Sequence, residues 1–336
     1  MPQKTALITG ITGQDGSLLA KYLLSLNYSV LAVCSQQPNL WRLVHLGIAT
    51  DCAIEFINYK NSATIKNVLK ENKIDEFYHL AAMTHVGQSH QHAKEVMEVN
   101  CLWTIELLNS IQQYSASTRF FFPASSEIFA ADLTHLAKEE DCKNPSNPYG
   151  ISKLAAYQMV KYFREAHGVF ACNGILFNHE SSLRAASFVS KKIVQSAAKI
   201  AKGDKKPLSL GNIYAKKDWG YAPDYVPYFH KMLQQTCAAD YVLASGKLHS
   251  VKDLVDCAFQ ALNYPLFWHG EGLDCVAKNQ HGETVVNINP RYFRPLDKHF
   301  LAGNAVKAQK TLDFKELTPF SSWVKAMTLA EFESLA

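Results

Sequence analysis

Four side chains in this sequence could do chemistry together. They are Ser125 and Glu127 in Ala124-Ser125-Ser126-Glu127, and Tyr149 and Lys153 in Pro148-Tyr149-Gly150-Ile151-Ser152-Lys153. They offer a hydroxyl donor, a carboxylate base, a phenol that can lose its proton, and an ammonium to help it do so. Hydride transfer to a nicotinamide, coupled to loss of water from a sugar, uses all four. Tyr149 and Lys153 fall at i and i+4 on one helix face, so the ammonium is expected to lower the phenol pKa. Glu127, if partly buried, gains the raised pKa of a base that removes a carbon-bound proton. The plainer readings are a turn cap for Ser125 and a surface carboxylate for Glu127. Spacing alone says little, because Tyr157 and Lys161 repeat it one or two turns on. Tyr157, deeper in the helix, reads as a packing residue.

The elements that must hold these groups follow from periodicity. Lys4 to Thr9, Tyr28 to Cys34, Ala53 to Tyr59, Glu76 to Ala82 and Arg119 onward read as strands, with the last ending at the Ser125 motif. Helical patterns lie between them, over residues 16–27 and from about His90 to Gln113. Strands alternating with helices predict a Rossmann-type, doubly wound parallel sheet. Residues 148–167 read as a helix with Pro148 in its first turn, and Phe170 to Asn178 as a strand. We therefore expect a dinucleotide-binding domain over 1–177. A smaller, mixed α/β substrate domain is expected mainly over 178–336, with segments near 212–240 and 285–297 as candidates to rejoin the first.

Thr9-Gly10-Ile11-Thr12-Gly13-Gln14-Asp15-Gly16 follows the first strand and opens the first helix. Gly10 suits a tight turn, Gly13 a close approach of backbone to a pyrophosphate, and Gly16 close helix–strand packing. The helix N-terminus offers free N–H groups to phosphates. The second strand ends in Ala32-Val33-Cys34-Ser35-Gln36-Gln37, with neither the acid that holds a ribose hydroxyl nor an arginine for a 2′-phosphate. Arg42 is the nearest cation, either a cofactor contact or a solvated helix residue.

Composition narrows the class. The 336 residues are 48% hydrophobic and 19% charged, as in ordinary globular chains. A net charge of +4 argues for neither nucleic acid nor membrane as partner. The eight cysteines lack any CxxC pair, which suits reduced thiols rather than a disulfide framework or a zinc site. No leader or membrane-length apolar run is seen, so a cytoplasmic protein is expected.

At these motifs the chain resembles the extended short-chain dehydrogenase/reductase superfamily and, within it, the GDP-mannose 4,6-dehydratase family. Also matching are Pro38 to Leu43, Leu80-Ala-Ala82, Leu210-Gly-Asn212, Lys217-Asp-Trp-Gly220, Asp224-Tyr-Val226, His249-Ser-Val251 and Tyr292-Phe-Arg-Pro295. The most specific run is Ala171 to Ser181, ending Phe177-Asn-His-Glu-Ser181. The resemblance implies conversion of GDP-mannose to GDP-4-keto-6-deoxymannose with recycled NADP. Tyr149 and Lys153 would take the 4-hydroxyl proton, Ser125 would hold the 4-oxygen, and Glu127 would remove the C5 proton. It implies cofactor contacts at Gly10, Thr12, Gly13, Gln14, Asp15, Gly16, Arg42, Asn58, Leu80, Ala81, Ala82, Tyr149, Lys153 and His179. Substrate contacts are implied at Ser126, Asn178, Val189, Lys192, Lys217 and Arg294, with Lys192 and Arg294 facing the nucleotide diphosphate or standing as surface cations. A homodimer is implied, and in the family a tetramer.

The chain also departs from the family. Val33 and Cys34 replace an Arg-Arg pair that binds the adenosine phosphate, which admits NAD as well as NADP. Asn58 replaces an aspartate near the adenine, Ser182 a proline, Ala185-Ala186 a Gly-Glu, Lys217 an arginine, Tyr214 an aspartate and Ala130 a glycine. A nucleotide-sugar reductase or C4-epimerase, or a non-catalytic binding subunit, are the alternatives, and Glu127 argues against the first two because they need no C5 base.

Overall fold

The computed structural model describes residues 3–34, 39–56, 63–84, 86–130, 133–292, 301–315 and 318–335. Asn58 and Arg294 lie outside them. The strands are β1 (Thr5–Thr9), β2 (Ser29–Cys34), β3 (Cys52–Phe56), β4 (Glu76–His79), β5 (Arg119–Ser125), β6 (Ala171–Leu176) and β7 (Asn178–Glu180). They continue as β8 (Leu208–Leu210), β9 (Lys216–Tyr221), β10 (Asp240–Leu243), β11 (Leu248–Ser250), β12 (Phe267–His269), β13 (Val276–Lys278) and β14 (Thr284–Ile288).

Seven strands form a parallel sheet in the order β10-β6-β5-β4-β1-β2-β3. Both faces are covered, which is why these strands read as continuous apolar runs. Leu7, Phe77, Phe120 and Phe122 face one layer, under the helices Ala63–Glu71, Trp103–Tyr114 and Pro148–His167. Ala6, Ile8, Tyr78 and Phe121 face the other, under Gln14–Ser25 and Ala222–Leu233. Chain order reverses between β1 and β4, and a crevice opens there beyond the strand ends. Among the described residues, no helix is long and apolar enough to cross a membrane.

Smaller sheets, β11-β9-β7 and β12-β13-β14-β8, form a second lobe with the helices Val189–Ala201, Val251–Gln260 and Phe320–Ser334 around Trp219, Phe259 and Trp323. Of the segments considered for a return to the first domain, Ala222–Leu233 packs on the large sheet and β10 forms its edge. Residues 216–221 and 284–288 do not return. They pair within the smaller sheets, because β9 hydrogen-bonds β7 and β14 runs parallel to β8.

The helix expected from His90 to Gln113 is interrupted. Ala93–Met97 and Trp103–Tyr114 are α-helical, and Glu98–Leu102 between them is a π turn. Asn100 supplies the reason. Its side chain accepts from the Met83 N–H and donates to the Met83 carbonyl and Ser152 Oγ, at 2.8, 3.1 and 3.1 Å. A side chain recruited by a neighbouring loop widens the local turn.

Tyr157 has a partner of its own. Its hydroxyl donates to Asp240 Oδ2 at 2.8 Å, where Arg164 and Asn173 also bind the carboxylate. These contacts fasten the edge strand β10 to the helix Pro148–His167, and they account for the second Tyr-Lys spacing. Tyr157→Phe should lower stability by about 1–3 kcal/mol, the usual cost of withdrawing one hydrogen bond from a buried charge, with turnover unchanged. Urea unfolding and steady-state assays measure the two; loss of turnover at normal stability contradicts this role.

Candidate active site

The crevice at the β1–β4 switch is lined by Asp15, Leu80, Ala82, Ser125, Ser126, Glu127, Tyr149, Lys153, Asn178 and His179. The structure thus gathers residues from five separate stretches of the chain. Ser125 ends β5, and its Oγ accepts from the Glu127 N–H at 3.2 Å, opening the short turn Ser126–Ile128. Asn147 caps the next helix through the Gly150 N–H at 2.8 Å, with Pro148 in the first turn. That start points Tyr149 and Lys153 into the crevice.

The electrostatics differ from what the spacing predicts. Burial pushes the Tyr149 phenol up to about 12; a hydrogen bond with Ser125 opposes that, and the Glu127 charge adds to it. Lys153 is buried too, and burial lowers it to about 7. Its ammonium donates to the Pro123 carbonyl at 2.9 Å and lies 4.6 Å from the Phe122 ring centroid. Desolvation outweighs the expected assistance of lysine to tyrosine.

The glycine loop is packed tightly against its own backbone and the end of β4. Gly10 has φ +75°, and a Cβ there would come within 2.6 Å of the Ala81 nitrogen. A Cβ on Gly16 would come within 2.2 Å of the Gly10 carbonyl. Leu80 and Ala81 are held to the loop by N–H bonds to the Thr9 carbonyl and Thr9 Oγ1. A helix N-terminus, tightly folded glycines and a crevice with Lys153 at its wall suit a dinucleotide.

The loop is latched to the far wall. Asp15 Oδ2 lies 2.9 Å from His179 Nε2, and His179 Nδ1 lies 2.7 Å from the Phe177 carbonyl. Both partners only accept, so both ring nitrogens carry protons and the imidazole is a cation. Burial alone would lower His179, but Asp15 raises it; burial alone would raise Asp15, but His179 holds it at about 2. Gln14 adds two bonds, donating to the His179 carbonyl and accepting from Ser181 Oγ.

Other expected contacts sit elsewhere. Arg42 donates to the Thr12 and Leu183 carbonyls, both at 2.7 Å, so it braces the loop. Val189 is exposed at the start of its helix, beside the crevice residue Phe188. Lys192 donates to the Ser209 carbonyl at 2.6 Å and lies 4.2 Å from the Tyr292 ring centroid. Lys217 lies on β9 opposite His249. These three belong to the second lobe and do not line the crevice. Val33 is buried in the sheet core and supplies no cation.

Sequence reading missed Arg184. It lines the crevice, pairs with Glu180 at 3.1 Å, and has its guanidinium carbon 3.6 Å from the Phe188 ring centroid. Its position three residues after Ser181, the end of the most specific motif run, was the available signal. Among the described residues no cluster could hold a metal ion.

The family profile described as GDP-mannose 4,6 dehydratase matches residues 7–327. The Caenorhabditis elegans protein GDP-mannose 4,6 dehydratase 2 is 37% identical over 340 residues, covering 98% of this chain and 89% of its own. In fold, a UDP-glucose 4-epimerase from Thermotoga maritima has a TM-score of 0.85 at 15% identity, covering 99% of this chain and 100% of that one. A dTDP-glucose 4,6-dehydratase from Bacillus anthracis, in complex with NAD, has a TM-score of 0.81 at 16% identity, covering 98% and 97%.

The Asp15–His179 pair generates a pH prediction. Asp15 contributes stability fully above its ordinary 3.8, and loses it as pH falls through about 2. His179 contributes fully below its ordinary 6.5, and loses it as pH rises through its raised folded value. The stability gap between the natural protein and Asp15→Asn should be widest between pH 3.8 and 6.5 and narrow on both sides. Denaturant titrations across that range measure it; a flat gap contradicts the pairing.

Proposed function

The chain belongs to the GDP-mannose 4,6-dehydratase family, and from that membership we propose a hydro-lyase that converts GDP-mannose to GDP-4-keto-6-deoxymannose and water. The observation that carries the reading is the convergence of Ser125, Glu127, Tyr149 and Lys153 on one crevice. A reductase or C4-epimerase needs no base for C5, and the carboxylate of Glu127 in the crevice lining supports the dehydratase reading over both.

Ser125 holds the sugar 4-oxygen, and Tyr149 takes the 4-hydroxyl proton. With the phenol near 12 and the lysine near 7, Tyr149 keeps its proton at neutral pH until further positive charge arrives. A nicotinamide, when bound, supplies that charge, accepts the C4 hydride and returns it to C6, so it is not consumed. The 4-ketone acidifies C5, Glu127 removes that proton, and the C6–O bond breaks as C5=C6 forms. Two protons leave the sugar, from O4 and C5. Two return, one in the departing water and one at C5.

Gly10, Thr12, Gly13, Gln14, Asp15, Gly16, Leu80, Ala81, Ala82 and His179 form the cofactor side of the crevice, with Arg184 as a cation beside it. Ser126 and Asn178 border the sugar. Lys192, on the second lobe, is assigned to the nucleotide diphosphate end, and Val189 and Lys217 to further substrate contacts. We assign NADP as the cofactor, with NAD as a near equal, because Val33 and Cys34 supply no phosphate grip. A cytoplasmic homodimer is the proposed form. Ile151 and Tyr162 lie eleven residues apart, on one helix face, and both are exposed.

Incubation of the purified protein with GDP-mannose and each cofactor, read by mass spectrometry, should show loss of one water. Glu127→Gln should lower turnover on the order of 10²–10⁴-fold while cofactor affinity holds. Equal turnover would sink the Glu127 assignment. Calorimetry should find NADP⁺ and NAD⁺ affinities within about tenfold, a difference of ~1.4 kcal/mol; a strong preference contradicts the reading of Val33 and Cys34.

A further inference from the structure

We propose that Asn147 is a positioning residue for the elimination step, one amide serving both the catalytic helix and the catalytic carboxylate. The inference rests on the reading of Glu127 as the C5 base. Asn147 Oδ1 accepts from the Gly150 N–H at 2.8 Å, and Asn147 Nδ2 donates to Glu127 Oε2 at 3.0 Å. The side chain is buried, at 8% exposure. Its φ of −146° and ψ of 157° are extended, the ordinary state of a residue before proline and of a helix cap.

Capping alone does not call for asparagine, since serine, threonine and aspartate cap as well. Asparagine adds a donor on a separate atom from the acceptor. Here the acceptor starts the helix of Tyr149 and Lys153, and the donor grips the Glu127 carboxylate. The two backbones are also pressed together, because a Cβ on Gly150 would lie 2.5 Å from the Glu127 carbonyl. Any movement of the helix start therefore moves Glu127 with the phenol. The proton acceptor for O4 and the base for C5 share one reference point.

The test separates the two half-reactions. Proton and hydride removal at C4 reduces the cofactor; removal of the C5 proton and loss of the C6 hydroxyl let the hydride return. Rapid mixing of holoenzyme with GDP-mannose follows both through the near-ultraviolet absorbance of reduced nicotinamide. Asn147→Asp keeps the cap acceptor but sets a carboxylate against Glu127. It should melt close to the natural protein, reduce cofactor at a similar rate, and reoxidise it 10–100-fold more slowly. Asn147→Ala loses both contacts, yet the helix it starts is long and packed, and its reoxidation should be slowed likewise. Reduction and reoxidation slowed equally, together with a lower melting point, would mean a cap and nothing more, and overturn the proposal. Natural reoxidation in Asn147→Asp overturns it too. Glu127→Gln in parallel tells which idea fails: if it also reoxidises normally, the Glu127 reading is wrong; if it alone stalls, only the Asn147 proposal is lost.

Discussion

The crevice depends on one ion pair more than on any catalytic group. Asp15 comes from the glycine loop and His179 from the middle of β7, 164 residues later. Their bond, with those of Gln14, closes the loop against the segment where the chain leaves the large sheet for the second lobe. A half-buried carboxylate without that cation would lose its main compensation for desolvation, keeping only the Gln14 amide and the Arg184 charge. The pair therefore sets the spacing between the glycine loop and β7. The two most recognisable motifs of the sequence bind each other before they bind any ligand.

Much of this was legible in the sequence, for physical reasons. Parallel strands covered on both faces must be apolar throughout, so β1, β2, β4 and β5 stood out. Pro148 in a first turn set the start of the helix that carries Tyr149 and Lys153. Other features hid because they are made by tertiary contacts. The π turn at Glu98–Leu102 exists because Asn100 reaches a loop and a neighbouring helix, which no periodicity encodes. Arg184 was not singled out, and Arg42, read as a cofactor contact or a solvated helix residue, donates to two carbonyls. Tyr149 and Lys153 were placed correctly on one face, but spacing carries no account of burial, and burial sets their proton affinities here.

Among the departures from the family, Val33 is the most constrained. It is buried in the same apolar cluster as Leu31 and the helices of one face. The change at Cys34 sits at the strand end, where a side chain is free to differ. Ser125, Glu127, Tyr149 and Lys153 stand on β5, the turn after it and the following helix, with β4 and β1 between β5 and β2 in the sheet.

The edge strand β10 has a consequence for how this chain is made. Residues 240–243 complete the sheet, and Ala222–Leu233 covers one of its faces, yet both follow β7, β8 and β9 of the second lobe. During synthesis the first 177 residues emerge with β6 as a bare edge and with Phe121 lacking its stacked partner Phe229. An open edge beside uncovered aromatic surface is the state most prone to pairing with another chain. The nascent protein cannot finish its first lobe before much of its second has appeared, so the two lobes are interleaved in time as well as in space.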